Sequence, residues 1–176
     1  RIDFLSVHTY GTFPKNLERG EAVGIENTYR RVLELKKLAA DCGFENLEMI
    51  VDEWGLSTEG FTCAEQSPAL IFRNTELYAS AYAHLIHEYT VRKAPVSRQM
   101  ICLSGQHNLE SDFHGYRSFF TLSGFPKPIY NAYAMAAKLG NYLLEGAAFD
   151  EKTETGIFPT ATEDGKVIVM VYRFHP

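Results

Sequence analysis

The chain has 176 residues, 45% of them hydrophobic, an ordinary composition for a globular protein and enough apolar material for one domain to bury a core. Its formal charge of −5, from 17 basic and 22 acidic side chains, and the lack of any long Lys/Arg run argue against a nucleic-acid or anionic-membrane surface. That charge balance makes a neutral or mildly charged small molecule the expected partner, and no apolar run reaches the roughly 18 residues needed to span a bilayer.

The aromatic share is 13%, with 10 Tyr and 12 Phe; most such rings pack cores, although carbohydrate sites also use aromatic faces. Cys42, Cys63 and Cys102 are far apart and show no Cys-x-x-Cys spacing. That pattern argues against a zinc knot or a dense disulfide framework and is read as free buried thiols, with one bridge and one thiol left over as the alternative. The chain opens on Arg1-Ile2-Asp3-Phe4, entering a strand directly, which reads as a piece of a longer protein.

In chain order, Ile2 to His8 is apolar at Ile2, Phe4, Leu5 and Val7, the pattern of a parallel strand buried on both faces. Gly11 to Gly24 reads as a loop containing Pro14. Asn27 is the expected N-cap of a helix running to about Asp41, with Val32, Leu35, Leu38, Ala39 and Cys42 on its inner side and Gly43 as its stop. Leu47 to Trp54 is the second strand, and it delivers Asp52, Glu53 and the only tryptophan to its C-terminal end.

Gly55 to Gln66 is a second loop at the same end. Ser67-Pro68 is the cap and first residue of a helical stretch reaching about Arg92, interrupted or restarted at Asn74-Thr75. Arg98 to Ser104 is the third strand, Gly105 to Gly124 a loop, and Ile129 to Leu139 a helix closed by Gly140. Beyond Gly146 the texture becomes β-rich: Gly156 to Ala161 and Lys166 to Phe174 flank Glu163-Asp164-Gly165, a strong hairpin signal. Val167, Val169 and Val171 alternate with Ile168, Met170 and Tyr172, so both faces of that strand need cover.

Several of these residues form a familiar set: Asp3-Phe4-Leu5-Ser6-Val7-His8-Thr9-Tyr10, Val51-Asp52-Glu53-Trp54-Gly55, Phe113-His114-Gly115-Tyr116, and Gly124-Phe125-Pro126-Lys127-Pro128-Ile129-Tyr130-Asn131-Ala132-Tyr133 with Leu139-Gly140. In order and spacing the set resembles glycoside hydrolase family 39, the β-xylosidases and α-L-iduronidases. The resemblance implies an α/β fold: the last three β/α units of a (β/α)8 barrel over residues 1–142, then over 143–176 the first strands, a hairpin, of an incomplete β-sandwich.

The resemblance also implies roles. Glu53 matches the glutamate ending the seventh barrel strand, the nucleophile that forms a covalent glycosyl-enzyme, and His8 and Tyr10 match sixth-strand positions lining the sugar site. Sugar contacts fall to Asn108 and Glu110 in Ser104-Gly105-Gln106-His107-Asn108-Leu109-Glu110, which departs from the aromatic and adjacent acidic residues usual there. Arg117 lies where the uronate-handling branch pairs with a substrate carboxylate.

A retaining glycosidase needs two carboxyl groups about 5–5.5 Å apart, and the family takes its acid/base from an Asn-Glu pair on the fourth strand. None of Asn16, Asn27, Asn46, Asn74, Asn108, Asn131 and Asn141 is followed by Glu, so strands one to five, acid/base included, are expected before Arg1 and the chain alone is expected to be inactive. Asp52, next to Glu53 on a strand, is expected to face the other way, into the strand–helix layer. The same alternation turns Trp54 away from Glu53, toward packing or loop anchoring.

His84-Leu85-Ile86-His87-Glu88 superficially resembles a zinc-helix motif, but its order is wrong and the imidazoles read as exposed or half-buried helix residues; a metal-dependent hydrolase built on them ranks last. The glycosidase chemistry requires no metal or organic cofactor. The alternative to a hydrolase fragment is a non-catalytic carbohydrate-binding half-barrel that self-associates through its exposed barrel edges.

Overall fold

A computed structural model describes residues 2–12, 24–103 and 111–175. Three parallel strands form one sheet in the order β1 (Phe4–Thr12), β2 (Glu48–Ser57), β3 (Arg98–Ile101). Helix α1 (Glu26–Asp41) connects β1 to β2. A 3-10 turn (Pro68–Asn74) and α2 (Glu76–Val91) connect β2 to β3, and α3 (Pro128–Ala136) follows β3. This mixed α/β arrangement fits a segment of a β/α barrel, as expected.

Burial explains the layering. Val51, Trp54 and Met49 of β2 are almost wholly buried with Tyr29 and Val32 of α1, Tyr78, Leu85 and Tyr89 of α2, and Ile129 of α3. The opposite sheet face is open: Phe4 is 53% exposed and Met100 48%. The first strand is therefore covered on one face rather than two, because no element among the described residues lies over the side carrying Phe4 and His8.

Strand β1 runs on to Thr12 and β2 to Ser57, since Tyr10 pairs with Gly55 and Thr12 with Ser57 beyond the expected ends. Gly43, at φ +85°, ends α1 as expected: its N–H donates to Ala40 O and that of Phe44 to Ala39 O, satisfying two of the helix's last carbonyls. The expected N-cap is corrected. Ile25 holds that position, and the Asn27 amide instead donates to Gly11 O at 2.7 Å, tying the helix start to the end of β1. The buried side of α1 is Thr28, Tyr29 and Val32; Leu38 is 58% exposed and Cys42 is exposed as well. None of the three cysteines is in a disulfide, and only Cys63 is buried.

Ser67 precedes the 3-10 turn without a side-chain cap, and the helix restarts at Thr75, whose Oγ1 accepts from Leu77 N. The last helix is shorter than expected and ends at Ala136; Gly140, rather than closing it, donates its N–H to Thr160 Oγ1.

The β-rich segment forms a second, antiparallel sheet: β4 (Tyr142–Leu143) and β5 (Ala148–Asp150) pair with opposite halves of β6 (Thr155–Ala161), which pairs along its length with β7 (Val167–Arg173). Asp164-Gly165 sits in the β6–β7 turn, with Thr162 and Lys166 closing it. One face of β7 packs on α2 through Tyr172, while Val167, Val169 and Val171 are 50–64% exposed.

Candidate active site

Glu53 lies in the second half of β2, and a β-bulge sets its direction. Val7 pairs with Val51 but His8 pairs with Glu53, so β2 carries one extra residue at this point, and the same extra residue appears against β3 between Val51 and Trp54. Val51 and Trp54, three apart, both point into the helix layer, leaving Asp52 and Glu53 to share the other side. This corrects the expectation for Asp52. His8 Nε2 is 3.7 Å from Asp52 Oδ2, and His8 Nδ1 is 3.8 Å from Glu53 Oε1, so one imidazole reaches both carboxylates.

Trp54 faces away from Glu53, as expected. Its indole N–H donates to Tyr133 Oη at 2.8 Å, and its ring stacks on Tyr82, which in turn stacks on Tyr133. Burial raises the Tyr82 hydroxyl to about 12, so these phenols stay neutral partners. The indole fixes the strand end from behind while the carboxylates face the open side.

Arg117 arrives from the segment between β3 and α3. Its Nη1 donates to Tyr10 Oη at 2.8 Å and lies 3.7 Å from Glu53 Oε1, with only 5% of the side chain exposed. His8, Tyr10, Glu53 and Arg117 are thus brought together by β1, β2 and one loop. Asn108 and Glu110 lie outside the described residues.

Two buried cations hold the loops around Arg117, and sequence reasoning missed both. Arg73 donates to the carbonyls of Glu59, Thr62 and Gly115, and burial lowers its guanidinium to about 10. Lys127 donates to Tyr116 O at 2.9 Å, and burial, then the Arg73 charge, brings its ammonium down to about 8. Their acceptors are backbone carbonyls and, for Lys127, the Ser118 hydroxyl, so no charge pattern in the sequence points to them.

His84 and His87 do not form a metal helix. His87 is 1% exposed, against the expectation of an exposed or half-buried side chain, and Nδ1 of each imidazole lies within 2.9 Å of Tyr172 Oη on β7. A phenol can donate one hydrogen bond and accept another, so one ring takes the proton and the other gives one. Burial, then the neighbouring His87, lowers His84 to about 4.

Among the described residues, one group of side chains could hold a metal ion: Cys63, Glu65 and His114.

No protein-family model matches the sequence, and no curated protein matches it. Solved structures do share the fold. A GH39 β-xylosidase from Caulobacter crescentus superposes with a TM-score of 0.65 at 15% identity, over 96% of this chain and 32% of that one. A bacterial orthologue of human α-L-iduronidase gives 0.66 at 18% identity, over 99% and 31%. The GH39 enzyme from Xanthomonas axonopodis pv. citri gives 0.58 at 16%, over 94% and 34%. The chain spans about a third of the length of each of these structures.

Proposed function

We propose that the chain is part of a retaining glycoside hydrolase related to family 39, with Glu53 as nucleophile. Residues 1–142 make the last three units of a (β/α)8 barrel, and 143–176 open an accessory β-sandwich. The observation that carries this reading is the placement of Glu53: a half-buried carboxylate on the open sheet face, flanked by His8 and by an Arg117 already bonded to Tyr10. The shared fold with glycoside hydrolases supports it.

Glu53 would attack the anomeric carbon to form a covalent glycosyl-enzyme, passing through an oxocarbenium-like transition state. Arg117 and His8 hold the carboxylate in position and oppose its rotation. Asp52 is not taken as the second carboxyl, because it lies against the same His8 imidazole as Glu53. The acid/base carboxyl would therefore come from residues outside these 176, and the chain alone would be inactive.

The sugar is a neutral pyranoside such as a β-xyloside. Arg117 is buried and already engaged by Glu53 and Tyr10, which leaves little of its charge for a substrate carboxylate. The test is Glu53→Gly in the complete barrel: activity should fall by about 10⁴-fold or more. Azide should then restore turnover as a glycosyl azide of inverted configuration. Unchanged turnover in the folded variant, or an azide product of retained configuration, would overturn the reading.

A further inference from the structure

We infer that Cys63, Glu65 and His114 form a binding site for a divalent transition-metal ion of the zinc type, joining the loop after β2 to the segment after β3. This site is separate from the glycosidase chemistry and does not rest on it. One ligand atom from each residue lies within 4.8 Å of the others. Around a tetrahedral zinc, bonds of about 2.0–2.3 Å put ligand atoms roughly 3.3–3.8 Å apart. The His114–Glu65 pair, at 3.5 Å, already has that spacing, and 4.8 Å is the outer bound for the pairs that include Cys63.

His114 Nε2 lies 3.5 Å from Glu65 Oε1, so this nitrogen is the one that would share a metal with Glu65, leaving the neutral ring's proton on the buried Nδ1.

The backbone is preorganised for it. Ala64 N–H donates to His114 O at 2.9 Å, so the two segments are bonded to each other beside the proposed ion. Arg73 Nη1 donates to Thr62 O and to Gly115 O, the residue before Cys63 and the residue after His114. The ligands are softened by one thiol and exposed on one side, which suits zinc or cobalt over calcium or magnesium. On binding, a metal–sulfur bond forms and the thiol proton, now directed at Gln66 Oε1, passes to water. Solvent fills the remaining position.

The experiment is a titration of the folded 176-residue chain with Co²⁺, and with Zn²⁺ against a chromophoric chelator. One ion per chain is expected, with a thiolate-to-cobalt charge-transfer band. Cys63→Ser should abolish that band, and His114→Ala should weaken zinc by at least about tenfold. Cys42→Ser should leave both readings unchanged, and circular dichroism of each variant verifies folding. The inference is overturned if the folded chain takes up no stoichiometric metal, if the band survives in Cys63→Ser, or if Cys42→Ser weakens binding as much as Cys63→Ser does.

Discussion

His8 pairs with Glu53 across the β1–β2 ladder, although its neighbour Val7 pairs with Val51. The skipped residue, Asp52, is what turns two adjacent carboxylates toward one imidazole. Removing the imidazole frees both. In a complete barrel His8→Ala should lower kcat by about 10–100-fold with little change in melting temperature, since the ring is 57% exposed. Steady-state kinetics together with a thermal melt check this; a kcat within twofold of the parent would show that His8 does not position Glu53.

Arg117 offers a specificity test. With its guanidinium bonded to Tyr10 and close to Glu53, a complete enzyme should turn over an aryl β-xyloside with a kcat/KM at least about tenfold above that for the matching uronide. Arg117→Lys should lower both, because an ammonium cannot reach two partners in one plane. A marked preference for the uronide would assign Arg117 to the substrate carboxylate instead.

The Tyr172 hydroxyl gives a pH prediction. His84 is held at about 4, below the ordinary value for an exposed imidazole, so between about 6.5 and 4 the unfolded chain binds a proton that the folded chain does not. Stability is therefore fully present above about pH 6.5 and is lost as pH falls toward 4. The lowering of His87 by burial adds to the same trend. Urea midpoints across this range should fall more steeply for the parent than for His84→Leu. Equal slopes would show that the pair does not titrate with folding.

Arg73 gives a stability prediction. Arg73→Leu leaves the carbonyls of Glu59, Thr62 and Gly115 without their donor in a buried setting, and should cost about 3 kcal/mol or more. Chemical denaturation measures it. A loss below about 1 kcal/mol would mean that water replaces the guanidinium.

What the sequence made legible follows physical lines. The parallel strands, the Gly43 stop and the Asp164-Gly165 turn were readable because each depends on neighbours a few residues away. The direction of Glu53 relative to Trp54 followed from alternation. Asp52 escaped because a bulge is a property of the register between two strands, invisible in either strand alone. The burial of His87 was set by Tyr172, 85 residues along the chain, and Asn27 was drawn from capping by Gly11. Cys63 and His114 belong to separate loops, so only the fold places them together.

The proposed activity rests on the chemistry of one carboxylate. The most direct measurement is to inactivate the complete enzyme with a 2-deoxy-2-fluoro-β-xyloside bearing a good leaving group, digest it, and locate the sugar by mass spectrometry. A single ester on Glu53 is the expected result; an ester on Asp52 or on any other side chain would contradict the assignment of Glu53 as nucleophile.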